Sequence, residues 1–121
     1  MHLYSALEAE LSHGLDMTDA ILALAPAAAV SGRPKRVAAE LGLTQEGGAR
    51  GAYGGVIGIV EPGLADLAVV IRSLWISEGR AHLRVGGKIV ATSTAEEEYR
   101  EALSKARFLI DGVARAEARG R

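Results

Sequence analysis

The chain has 121 residues, a net charge of −1 and 49% hydrophobic residues. This is the size of one domain with a modest core, residues 1–121, and it is too apolar to be disordered. The near-neutral charge offers no basic field for nucleic acid, the lack of cysteine excludes disulfides and thiolate metal sites, and no apolar stretch is long and unbroken enough to span a bilayer.

Taken in order, "LYSALEAELSHGLDMTDAILALAP" predicts two helices. Leu3, Leu7 and Leu11 recur at helical spacing and Gly14 ends that segment. Asp16 or Thr18 caps the next helix, which carries Ile21, Leu22 and Leu24 and is closed by Pro26. "AAAVSGRPKRVAAELGL" predicts a loop and a short helix, with Pro34 near the first helical position and Gly42 at its end. "GGVIGIV" and "LAVVIRSLWI" are rich in β-branched residues and predict strands around an "EPG" turn. "SEGR" turns the chain into a third strand, "AHLRVGG", so an antiparallel meander is expected. Ser93 or Thr94, followed three residues later by Glu, opens a long last helix whose apolar stripe is Tyr99, Leu103, Ala106, Leu109 and Ile110. The fold class is therefore α+β, with helices packed on an antiparallel sheet. Glu8 and Glu10 interrupt any signal-peptide core, so a cytoplasmic protein is expected. With one Trp, one Phe and three Tyr the core must be aliphatic, a first indication that the chain leans on another polypeptide.

Arg72 is the first candidate for chemistry. Strand alternation puts it on one face with Val70 and Leu74. A guanidinium there needs acceptors: either Asp66 in a salt bridge, or a ligand carboxylate held by its fork. Glu98, Glu101 and Lys105 share a helix face, where two carboxylates suit Mg²⁺ but equally suit the helix dipole and an i,i+4 pair. "VSGRPK" and "RVGGKIV" are small-residue loops whose N–H groups could meet carboxylate oxygens. His2 reads as a solvated terminal residue, and His13 and His82 have no partners at metal-ligand spacing.

Together, "HLYSAL", "PAAAVSGRPKRVAAE", "RGAYGGVIG", "VVIRS" and "GGKIVATSTAEEEYREALSKA" resemble, in order and spacing, the C-terminal half of the chorismate-utilising enzymes. These are component I of anthranilate synthase and of aminodeoxychorismate synthase, with isochorismate and salicylate synthases. The resemblance implies that Arg72 and Tyr53 bind the enolpyruvyl carboxylate of chorismate and that Gly86 offers an N–H to the same side. It implies that His2 lies beside the ring, that Lys105 adds positive charge, and that Glu98 and Glu101 hold Mg²⁺ against the ring carboxylate.

Three departures bear on catalysis. The Gly-x-Gly loop of the family reads Gly86, Gly87, Lys88 here, placing a lysine where backbone should approach the ligand. Ala29 stands where many relatives carry a threonine. The family's second pair of metal-binding glutamates and its acid–base lysine and glutamate belong to a preceding half that these 121 residues do not include. The Ser-Gly-x-Pro-Lys loop and the last helix resemble the anthranilate and aminodeoxychorismate branch, which implies a lyase of tryptophan or folate-type biosynthesis, supplied with ammonia or with a separate glutamine amidotransferase subunit. The expectation is a chorismate-binding segment that is inactive by itself and self-associates. The alternative is a truncated, non-catalytic binding or subunit-interaction module.

Overall fold

The structure, a computed structural model, describes residues 4–120. It is α+β. Three helices, α1 (Met17–Leu24), α2 (Ala28–Ser31) and α3 (Lys35–Gln45), precede two hairpins, and a long helix closes the chain. The strands are β1 (Val56–Glu61), β2 (Leu64–Val69), β3 (Leu74–Ser77) and β4 (Arg80–Leu83), and the last helix is α4 (Ala95–Arg119).

Local chemistry explains most of these limits. Asp16 caps α1 through a reciprocal box: its carboxylate accepts from the Asp19 N–H at 3.1 Å, and the Asp19 carboxylate accepts from the Asp16 N–H at 2.9 Å. Lys35 closes the other end of α1 by donating to the Ala23 carbonyl at 2.9 Å. Thr94 caps α4, accepting from the Glu97 N–H and donating to the Glu97 carboxylate. Pro62 and Gly63 make the β1–β2 turn, while Glu78 and Gly79, both at positive φ, make the β3–β4 turn.

Four expectations are corrected. No helix forms between residues 4 and 16, because Leu7 and Leu11 meet no packing partner, being 95% and 52% exposed, and a short unpacked helix is marginal in water. α3 runs through Gly42 to Gln45, since Gly42 keeps helical geometry and its carbonyl accepts from the Glu46 N–H at 2.9 Å. The meander is two separate two-stranded ladders, β1–β2 and β3–β4. The run "LAVVIRSLWI" breaks at residues 70–73, where Ile71 N–H turns back to the Val69 carbonyl and Arg72 takes a φ of 51°. Strand alternation stops there, so Arg72 does not share a strand face with Val70 and Leu74.

The fourth correction concerns α4. Its inward face is Glu98, Ala102, Lys105, Ala106, Leu109 and Val113, and it packs over β4. Of the expected stripe only Ala106 and Leu109 turn inward; Tyr99, Leu103 and Ile110 are at least half exposed. Ala106 is the one buried hydrophobic side chain among the described residues. The accessible surface is 10526 Å², against about 6,200 Å² for a folded monomer of 12.6 kDa. The elements are in place, but the apolar area that would weld them together still faces outward.

Gly58, in the middle of β1, offers a direct check on the first ladder. A Cβ there would lie 1.9 Å from the Asp66 carbonyl oxygen, a backbone atom that cannot move aside. Gly58→Ala is expected to cost about 1–3 kcal/mol and to lose amide-exchange protection across β1 and β2. Unchanged protection would show that the ladder has a different register.

Candidate functional site

The glycine-rich loop from Gly47 to Gly55 is held by arginines. Arg50 forks onto the Glu46 carboxylate at the end of α3, with Nε at 2.8 and 3.0 Å from its two oxygens, and Nη1 donates to the Val30 carbonyl at 3.3 Å. Arg84 at the end of β4 donates to the Ala49 carbonyl at 2.7 Å and lies 3.9 Å from Glu46. Gly54 is buried at φ 82° and donates to the Val70 carbonyl, while Val70 donates back to the Gly55 carbonyl. A Cβ on Gly54 would come within 3.0 Å of the Val30 side chain, so only glycine lets the loop lie this close to α2. These ties continue the β1–β2 ladder into the loop and set Tyr53 beside the end of β2.

Arg72, three residues beyond the end of β2, lies in the left-handed region, which costs an L-residue about 1–2 kcal/mol. Its side chain makes no ion pair with Asp66 or any other described residue. The salt-bridge reading is therefore set aside.

The loop after β4 supplies the opposite wall. A Cβ on Gly86 would meet the Tyr53 hydroxyl at 3.1 Å, and one on Gly87 would meet Glu98 Oε2 at 2.6 Å. Lys105 on α4 donates to the Gly86 carbonyl at 3.3 Å and pairs with Glu101 at 2.7 Å. Glu98 accepts from the Ser93 hydroxyl at 2.5 Å through Oε1, while its Oε2 is buried without a hydrogen-bond partner.

A pocket of about 180 Å³ results, lined by Tyr53, Arg72, Gly86 and Lys105, with Lys88 and Ala29 also in its wall. Four sequence-predicted residues thus converge. Glu98 and Glu101 do not line it; they border it, Glu98 behind Gly87 and Glu101 behind Lys105. His2 lies outside the described residues. The "VSGRPK" loop contributes only its first residue, Val30: the Gly32 N–H is spent on the Ala28 carbonyl, and Arg33, Pro34 and Lys35 face a separate cavity. Sequence reasoning named Gly87 only as part of a glycine loop and Ser93 only as a cap, and it missed the Glu46–Arg50–Arg84 cluster. The last had one visible signal, the i,i+4 spacing of Glu46 and Arg50.

The pocket lining carries three cationic side chains and no carboxylate, so it is built for an anion. Among the described residues no group of three or more His, Cys, Asp or Glu could by itself hold a metal ion, and no helix is long and apolar enough to cross a membrane.

The family model for chorismate binding enzymes matches residues 1–111. The chain belongs to the chorismate binding enzyme family. It is 40% identical over 119 residues to anthranilate synthase component 1 of Streptomyces coelicolor, covering 98% of this chain and 23% of that protein. It is 42% identical over 118 residues to the same component of Mycobacterium tuberculosis, with 97% and 23% covered. With that of Thermus thermophilus it shares 40% over 119 residues, with 98% and 26% covered. The chain therefore spans about a quarter of the length of these relatives. No solved structure matches it.

In this member of the chorismate binding enzyme family, the Arg50 fork holds the Glu46 carboxyl below its ordinary value of 4.5, and the Arg84 charge acts in the same direction. A lowered acid pKa stabilises the fold fully above the unfolded value and loses that stabilisation as pH falls through the folded one. Glu46→Gln is thus expected to destabilise the loop at neutral pH and to have no effect once the pH is well below 4.5. Denaturation midpoints of both chains across this range test it; a gap that stays constant to low pH would contradict the ionic origin.

Proposed function

We propose that this chain is the chorismate-binding portion of an anthranilate synthase component 1-like enzyme of tryptophan biosynthesis. The observation that carries the reading is the convergence of Tyr53, Arg72, Gly86 and Lys105 on one pocket without an acidic residue in its lining. Chorismate is a dicarboxylate. The Arg72 fork and the Tyr53 hydroxyl would hold its enolpyruvyl carboxylate, with the Gly86 N–H on the same side and Lys105 adding charge. His2 would lie beside the ring.

The carboxylates at the border fit a divalent ion. Glu98 keeps one oxygen buried and unpartnered, and Glu101 follows it one turn along α4. Mg²⁺ takes one or two protein carboxylates and completes its shell with water and ligand oxygens. Bound there, it would neutralise and polarise the ring carboxylate of the substrate. Ser93 orients Glu98 by donating to Oε1, and Lys105 holds Glu101 by its ion pair.

In the complete reaction ammonia replaces the ring hydroxyl and pyruvate leaves, giving anthranilate, pyruvate and water from chorismate and ammonia. The lining of the pocket has no carboxyl among the described residues, and in this reading the acid–base groups of turnover come from the rest of the enzyme. The exposed apolar faces argue the same way. The surface excess of about 4,300 Å² is the area of an obligate interface. Its occupant in this reading is the polypeptide that makes up the other three-quarters of the family relatives; a glutamine amidotransferase would supply ammonia as a separate chain. The setting would be the cytoplasm.

Four measurements check this reading. The isolated chain with chorismate, Mg²⁺ and ammonia should give no anthranilate fluorescence, whereas turnover at the rate of a complete synthase would contradict the division of labour. Arg72→Gly should weaken chorismate binding by tenfold or more, roughly the value of a charge-assisted contact, while raising stability by about 1 kcal/mol as the left-handed strain is relieved. Unchanged affinity would remove Arg72 from the site. Glu98→Gln should abolish the Mg²⁺ dependence of ligand binding in calorimetric titrations and leave Mg²⁺-free binding intact. At roughly tens of micromolar the chain should sediment as an associated species, because an uncovered obligate-sized face finds copies of itself when its partner is missing; a clean monomer would contradict that.

A further inference from the structure

One cation in the pocket has no part in the reading above. Lys88 lines it with Arg72 and Lys105. Lys105 is already engaged by Glu101 at 2.7 Å and by the Gly86 carbonyl at 3.3 Å. The side chains of Lys88 and Arg72 have no ion-pair partner among the described residues. Arg72 and Lys88 are exposed, so water screens their repulsion, and two like charges without partners around a cavity of about 180 Å³ favour an incoming anion.

The loop also dictates which of its residues can reach a ligand. At Gly86 the position of a Cβ is crowded by the Tyr53 hydroxyl, and at Gly87 it is taken by Glu98 Oε2. A side chain at either position would have to displace the Tyr53 hydroxyl or the Glu98 carboxylate. Lys88 is the first residue after them with a side chain, and it lies in the pocket wall.

We propose that Lys88 is a specificity-determining residue that selects organic dianions over monoanions, by giving a second anionic group a contact of its own beside the one at Arg72. The inference rests on the reading of this pocket as the ligand site and deepens it. It makes the lysine a contributor rather than an obstruction: its stem extends the pocket wall and its ammonium answers the charge left over after Arg72 is satisfied.

The test uses the full 121-residue chain and two small aromatic acids, benzoate with one carboxylate and isophthalate with two, titrated calorimetrically at fixed ionic strength. The unmodified chain should prefer isophthalate. Lys88→Met should lower that preference by about tenfold, the size of one hydrogen bond to a charged group, with a smaller loss for benzoate. Lys88→Arg should restore the preference, and added salt should erode it in the unmodified chain more than in Lys88→Met. Isophthalate binding that is unchanged or tightened in Lys88→Met overturns the inference, as does an unmodified chain that binds neither acid. If isophthalate selectivity depends on Lys88 while chorismate does not bind, the proposed substrate is wrong and the dianion site stands.

Discussion

The Arg50 guanidinium sits where the segments that build the pocket meet. It forks onto Glu46 at the end of α3, donates to the Val30 carbonyl at the end of α2, and belongs to the loop that carries Tyr53. Arg84 brings β4 to the same carboxylate and to the Ala49 carbonyl. Glu46 is only about a third exposed, which protects the fork from full screening by solvent. The fork orients the guanidinium toward the Val30 carbonyl and so helps to fix the glycine loop against α2, next to the ties from Arg84 to Ala49 and from Gly54 to Val70. The pocket is thus assembled by directional polar ties.

It has to be, because the apolar material is spent elsewhere. One alanine is the buried hydrophobic residue of the described chain, while Leu103, Phe108 and Ile110 of α4 and Ile57 and Ile59 of β1 face outward. A chain of this size normally secures its elements by burying such residues. Here the pocket lies at one side of the secondary-structure framework, and the apolar area that would make a core stays exposed. Under the proposed reading, a further polypeptide would cover this face, and its packing would exclude water from the site.

The Pro62–Gly63 and Glu78–Gly79 turns and the caps at Asp16 and Thr94 were legible from local chemistry, from residues close together in the chain. Tyr53, Arg72, Gly86 and Lys105 were joined into one site only by the resemblance to a family of enzymes. What was not legible depended on contacts between distant residues. The segment before Asp16 has a helical period but no surface to pack on, and α4 turns Glu98 and Lys105 inward where a polarity rule favours Tyr99 and Leu103. The break at Ile71–Ser73 hides in a run of β-branched residues, because Arg72 adopts a backbone conformation that its residue type disfavours. Gly87 makes room for the Glu98 carboxylate, eleven positions along the chain, a contact that no local pattern announces.

The central claim is that the space between Tyr53, Arg72, Gly86 and Lys105 receives a dicarboxylate. The most direct measurement is the nitrogen-15 spectrum of the labelled chain as chorismate is added. The account predicts that the amides of Tyr53, Gly86 and Gly87 and the side-chain Nε–H of Arg72 shift together along one binding curve. Shifts confined to the separate cavity around Arg33, Pro34 and Lys35, or none at millimolar ligand, would contradict it.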